Sequence, residues 1–357
     1  MKINSRQICF IMLTYTVVSR LLLYATELSE VCGNDLLFPI LIDFAVQTVV
    51  VWAVCYLCSR TDKTFFGLLN DTFGNVFARI IYGLFALYFA FSAVFPMMEQ
   101  KQFVGQVFYD TVPSLLAFLP FFIFSVYAGC KELKNIGRCA DIALPIFVTM
   151  FALIIFMAFS EVDLTNLLPV LKRPATNILS GALGSFFRFT EPSFLLMFMG
   201  HFRYRKGDAA KITLSYAGGG LTVILFAAVF YSIYGVISPS RDFAIAKVAL
   251  FFPAIELIGR VDLIALYFME IAMLFALVIN IQFSVHCLKK CTGLNIGGVW
   301  SLTVNAVLLA LVIVLDSSFS GLIAFYSKWV WIVTAVFALL LPLLAWTLKK
   351  GEKNETH

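Results

Sequence analysis

The sequence predicts an all-α integral membrane protein of about ten transmembrane helices, and three observations carry that expectation. Of 357 residues, 61% are hydrophobic and only 13% are charged, against about a quarter charged in soluble domains. Mean hydropathy is +0.93, and the apolar residues come in runs of roughly 18 to 25, the length a helix needs to cross about 30 Å of hydrocarbon. Runs such as Ala217 to Ile237 are apolar all round, which excludes the ten-residue alternating strands of a membrane β-barrel.

Taken in order, the spans are expected near Gln7 to Thr26, Leu36 to Cys58, Val76 to Pro96, Ser114 to Cys130 and Ile142 to Phe159. Five more follow near Gly181 to Gly200, Ile212 to Ile237, Leu263 to His286, Val299 to Leu315 and Ser327 to Thr347. The semi-apolar loop from Ser238 to Val261 has room for one or two short helices lying at the membrane interface. Lys2 and Arg6 before the first apolar run resemble a secretory signal, but no small-residue cleavage site follows and Arg20 interrupts the run, so the segment is expected to stay.

Orientation follows from lysine and arginine. With the N-terminus inside, seventeen of the 26 fall on inner segments, among them Lys131, Lys134, Arg138, Lys289 and Lys290; seven fall on outer loops, and Arg20 and Arg188 lie within spans. Both termini are therefore expected in the cytoplasm. The net charge of +5 is a topology signal, and no nucleic-acid partner is expected.

Ten spans divide into two sets of five, a first repeat over about 1–160 and a second over about 181–348, with a short cytoplasmic tail 349–357. An odd number per set forces the halves into opposite orientations, the inverted repeat of many secondary transporters, whose first helix in each half is discontinuous and binds ligand near the midplane. The sixth span fits: Gly181, Gly184, Thr190, Glu191, Pro192 and Gly200 interrupt it. Pro192 frees backbone polar groups there. The first span has no glycine, only Thr14, Thr16, Ser19 and Arg20.

Arg20, Asp43, Arg188, Glu191 and Glu270 fall inside spans, where each costs at least about 2.5 kcal/mol on a lone helix and needs a partner. Arg188 and Glu191 stand three apart, so they either neutralise each other on one helix face or leave Glu191 lining a ligand cavity. Arg20 requires a carboxylate from a neighbouring helix, Asp43 or preferably Glu270, and serves either a ligand or a static ion pair. Asp43, near its span's end, is expected to face outer water. Tyr88, Phe91 and Ser92 face the same cavity or pack ordinarily. Eight dispersed cysteines and three histidines offer no metal site, and no hydrolase, metalloprotease or nucleotide-binding pattern occurs. No catalytic residue and no cofactor is expected.

Several patches resemble the spore germination permeases, the B-type subunits of germinant receptors within the amino acid/polyamine/organocation superfamily. Tyr127-Ala-Gly129-Cys-Lys-Glu132 leading to Gly137-Arg138-Cys-Ala-Asp141 and Pro145 is similar to the family's inner loop. Glu99, then Thr111-Val112-Pro113, resemble its glutamate after the third span and its threonine-proline start of the fourth; Asn166-Leu167-Leu168-Pro169-Val170-Leu171 resembles its outer loop; Phe189-Thr190-Glu191 sits where it has Phe-Gly-Glu. The resemblance implies a leucine-transporter-like fold and a germinant pocket between the first, third, sixth and eighth helices. It also implies assembly with A-type and C-type receptor subunits in the inner spore membrane. On that reading Ser19, Arg20, Phe91, Ser92, Phe187, Thr190, Glu191 and Glu270 are candidate ligand-binding residues, and Glu99, Arg138, Arg188 and Pro192 are structural or coupling residues. Thr190 in place of glycine, and Ser19-Arg20 at the first break, depart from the family pattern; the arginine would fill part of the pocket and direct the ligand toward an anionic group, away from free amino acids. Two function classes follow: a subunit that senses a small nutrient, and a proton- or sodium-coupled transporter of amino acids.

Overall fold

A computed structural model describes residues 3–109, 111–202, 204–251 and 261–348, with side chains to 345. Among them no strand forms, and the helices define ten spans. The first is divided into Ser5–Val18 and Tyr24–Cys32; the second is Leu37–Arg60, the third Asn75–Val107, the fourth Ser114–Gly129 and the fifth Lys134–Ala158. The sixth is divided into Ala175–Ser185, a tight turn Phe186–Arg188 and Glu191–Phe198. The seventh is Asp208–Tyr234, the eighth Val261–Thr292, the ninth Gly297–Leu315, and the tenth runs over 319–348 with two π turns.

Among the described residues six helical runs are long and apolar enough to cross a membrane unaided. The difference from ten has a physical source: the first and sixth spans are each cut in two, the fourth has only 16 residues, and one 49-residue run holds both the ninth and tenth spans, parted by the turn Asp316–Ser318.

Packing repeats between the halves. The first span lies on the seventh and fifth as the sixth lies on the second and tenth, and the third meets the fourth and ninth as the eighth meets the ninth and fourth. The third with the eighth, the second with the seventh and the fourth with the ninth form self-matching pairs. That is the signature of two five-helix sets related by inversion, the 5+5 arrangement expected from the sequence.

Two expectations change. The first span extends past Thr26, its outer half running to Cys32. After the seventh span, the short helix Ala244–Ala249 is buried instead of lying at an interface: Ala244 and Ile245 donate their N–H groups to the Leu22 and Leu21 carbonyls at 2.8 and 3.2 Å. Those carbonyls lost their helical partners where the first span breaks, and in a hydrocarbon setting they must find others. Residues 252–260 of that loop and the tail 349–357 lie outside the described residues.

Nine basic residues of the inner segments, Arg6, Arg79, Lys131, Lys134, Arg138, Arg205, Lys211, Lys289 and Lys290, line cavities at one end of the bundle. The motifs noted in the sequence anchor the two ends. At the basic end Asp141 accepts from Arg6 Nη2 at 3.2 Å and Gln7 Nε2 at 2.8 Å, tying the fifth span to the start of the first. At the other end Asp35 accepts from the Leu171 and Arg173 amides at 2.6 and 2.8 Å.

Candidate functional site between the two helix breaks

The two interruptions face each other in the interior. The chain leaves helical geometry at Ser19–Leu23 and at Phe189–Thr190, so that carbonyl groups near the ends of both first half-helices turn inward without N–H partners. Such ends carry partial negative charge. Arg20, with no exposed surface, answers both: its Nη1 donates to the Thr16 carbonyl at 2.7 Å and its Nη2 to the Arg188 carbonyl at 2.9 Å. The same two nitrogens reach Glu191 at 2.7 and 3.3 Å, and Thr16 Oγ1 donates to that carboxylate at 3.3 Å. The guanidinium rests over Phe189 at 4.0 Å and near Phe44 at 5.1 Å. Pro192 stands in the first turn of Glu191–Phe198, where its missing N–H is no loss.

A second ion cluster lies beside the first. Arg188 donates to both oxygens of Glu99 at 3.2 Å and to Glu27 at 2.8 Å, while the Leu23 amide, freed by the first break, donates to Glu99 at 3.2 Å. The rings of Phe95 and Phe187 lie beside the guanidinium at 4.8 and 5.1 Å.

The pairings differ from the sequence expectation. Arg188 and Glu191 do not bind each other, because the intervening Phe189 and Thr190 leave the helix and the three-residue spacing no longer puts both side chains on one face. Arg20 pairs with Glu191 instead of Glu270, since it is the sixth span's break that faces the first. Asp43 is buried instead of water-facing, and accepts from Ser185 Oγ at 2.9 Å.

Two cavities of about 20 Å³ each flank the breaks and share Tyr15, Ser19 and Pro96 in their walls. One continues along Glu99, Gln100 and Asn280; the other along Ser92, Phe187, Arg188, Thr190 and Tyr326. Each has room for about one water. Ser19, Ser92, Phe187 and Thr190 therefore come together with Glu99 and Arg188 as cavity walls, and Arg20 and Glu191 form the ion pair behind them. Glu270 stands apart, buried on the eighth span, where the Gln100 amide donates to it and no cation pairs with it among the described residues. Phe91 is 37% exposed and stacks on Tyr326 outside the cavities. Arg138 lines a wide cavity at the basic end, far along the chain's axis from the breaks.

Sequence reasoning missed Tyr15, Gln100 and Asn280. Tyr15 Oη and Thr190 Oγ1 share a 2.9 Å hydrogen bond across the breaks, and Asn280 Nδ2 donates to Tyr15 Oη at 3.2 Å. The available signal was an amide side chain inside each of two apolar runs, Gln100 and Asn280, which a membrane helix carries only where it has a partner.

An inverted pair of five-helix sets, with both first helices broken around a small polar pocket, is the architecture of a transporter-type membrane protein. A search of curated proteins gives no match. Among solved structures the chain is similar to MhsT, a leucine-transporter-fold protein solved in complex with L-phenylalanine, at 15% identity over 96% of this chain and 88% of that one, with a TM-score of 0.67. The family model described as "Spore germination protein" matches residues 2–320, and the chain belongs to that family. It is a multi-pass membrane protein of the permease type with a role connected to spore germination.

Proposed function

We propose that this chain is the nutrient-sensing membrane subunit of a germinant receptor, taking a small solute between the helix breaks and passing the change to A-type and C-type partner subunits in the inner spore membrane. The observation that carries the reading is the Arg20–Glu191 pair. It ties the broken first span to the broken sixth at the point where a ligand would enter, so a ligand that displaces or strengthens it biases how the two halves sit together. A ligand acts in this way only through different affinities for the two arrangements.

The charges also narrow the ligand. Arg20 and Arg188 stand against Glu27, Glu99 and Glu191, one more carboxylate than guanidinium groups. Arg20, already bound on four sides, does not offer itself to an anion, so the pocket favours a small solute bearing an ammonium or no net charge over the anionic group suggested by an arginine in the sequence. The closed cavities leave room for little more than water, and the pocket must widen to admit an amino acid. Both termini lie on the cytoplasmic side in this reading, with the basic end facing inward.

The second reading, a coupled transporter, has one observation in its favour: Glu270, a buried carboxylate met among the described residues only by an amide, could carry a proton. Proton coupling fits better than sodium coupling, because the carbonyls of the breaks that hold a coupling cation in this architecture are already met by Arg20. Glu270→Gln separates the two. Lost uptake of a labelled amino acid into vesicles supports the transporter; absent uptake by the wild type, with a germination response that survives in the variant, supports the sensor.

A further inference from the structure

We infer that the basic end of the bundle carries a binding site for a phosphate-bearing anion, separate from the pocket between the breaks. A cavity of about 560 Å³ opens there, and five cations from three stretches of chain converge on it. Arg79 comes from the start of the third span, Lys131 from the turn after the fourth, Lys134 from the first residue of the fifth, and Lys289 and Lys290 from the last turn of the eighth. The lining holds one carboxylate, Glu132, and Lys134 already binds it at 2.7 Å. That hydrogen bond holds the Glu132 carboxyl below its ordinary range. Among the described residues Arg79, Lys131, Lys289 and Lys290 are in no ion pair. Lys131 and Lys290 rest only over the rings of Tyr127 and Phe66, at 4.0 and 5.9 Å.

A bias of lysine and arginine toward the inner side explains why cations stand at this end. It does not explain why they face one concavity with so little counter-charge, where their mutual repulsion raises the energy of the empty state. The neighbouring cavity is also rich in cations, with Arg6, Lys134, Arg138, Arg205 and Lys211 in its lining against the carboxylate of Asp208, but there Arg6 is paired with Asp141 at 3.2 Å. A phosphate group offers several acceptor oxygens and supplies the missing charge. Either a lipid headgroup or a soluble phosphate compound carries that chemistry.

The walls give the site a consequence. Ile3, just before the first span, donates its N–H to the His201 carbonyl at the end of the sixth at 3.0 Å, and both residues line the cavity with His286. An anion bridging the third and eighth spans to the turn after the fourth would hold these inner ends together and stabilise the form closed on that side.

The test is thermal unfolding of the full-length protein in phosphatidylcholine nanodiscs, with pyrophosphate against chloride at matched ionic strength, repeated in nanodiscs containing phosphatidylglycerol. A ligand that binds only the folded state raises the melting midpoint, by several degrees well above its Kd. A rise with pyrophosphate supports a soluble source, and a rise with phosphatidylglycerol alone supports a headgroup. In either case Lys131→Gln/Lys289→Gln should weaken the affinity on the order of tenfold for each cation removed, read as a rise that needs correspondingly more ligand. Flat wild-type responses in both arms, which need no variant to fold, overturn the site; so does an equal rise in a folded double variant.

Discussion

At the scale of single residues, Arg20 governs the interior. A fully buried guanidinium is tolerated only when its protons and charge are met, and two carbonyls with one carboxylate do so here. Arg20→Ala strands Glu191 and frees both carbonyls, and Glu191→Gln strands Arg20; each is expected to lower stability by about 3–5 kcal/mol, the usual effect of breaking one side of a buried pair. Thermal unfolding of Arg20→Met, Glu191→Gln and the double variant checks this. The account expects the double variant to lose clearly less than the sum of the singles, and simple additivity would show that the pair is not coupled. Arg20→Lys should also weaken the site, because a single ammonium cannot span both half-helix ends and a carboxylate. How far this was legible is itself instructive. The sequence marked Arg20 as needing a carboxylate and Glu191 as standing at a break. It could not pair them, since helical spacing offered Glu191 either Arg188 as a partner or a place in a ligand cavity, and Arg20 was expected to find Asp43 or Glu270; only the loss of helix at Phe189–Thr190 turns Glu191 toward Arg20.

At the scale of elements, close approach of backbones sets the frame around the pocket. Gly220 on the seventh span faces the ring of Phe44 on the second, and a methyl group there would stand 2.7 Å from that ring. Phe44 in turn lies near Arg20. Gly220→Ala is therefore expected to cost about 1–3 kcal/mol, as overpacking of a core does, and to shift the midpoint of the ligand response along with the melting temperature. Unchanged unfolding would show that Phe44 can yield. At the end of the sixth span Gly200 adopts φ +76°, and a Cβ there would meet the Thr64 backbone at 2.8–2.9 Å. Thr64 caps the short helix Phe65–Phe73 by accepting from the Gly67 amide at 3.1 Å, so Gly200→Ala should disturb both elements, adding about 1–2 kcal/mol of backbone strain to the clash. The spans themselves were legible because hydrocarbon thickness fixes their length. The break in the first was visible only as the counterpart of Pro192 in an inverted repeat, since that turn has neither glycine nor proline and is held open by partners distant in sequence: Glu99, Ala244 and Ile245.

At the scale of the whole molecule, the charge asymmetry and the broken helices give the bundle a direction. Cys139, exposed in the stretch between Lys134 and Asp141 at the basic end, provides a check on orientation. A membrane-impermeant maleimide is expected to label it only in inverted vesicles, and labelling from outside would reverse the topology. The central claim is that the pocket beside the Arg20–Glu191 pair receives the nutrient, and it is tested most directly at its walls, leaving the charged side chains themselves in place. Spores lacking this gene and its operon neighbours, complemented with wild type, Ser19→Ala or Thr190→Val, would be titrated with individual nutrients while receptor assembly is followed by immunoblot. The account predicts that both variants assemble and shift the half-maximal concentration for one nutrient on the order of fivefold or more, the effect of about 1 kcal/mol from a lost hydrogen bond. Wild-type sensitivity to every nutrient in assembled variants would contradict it.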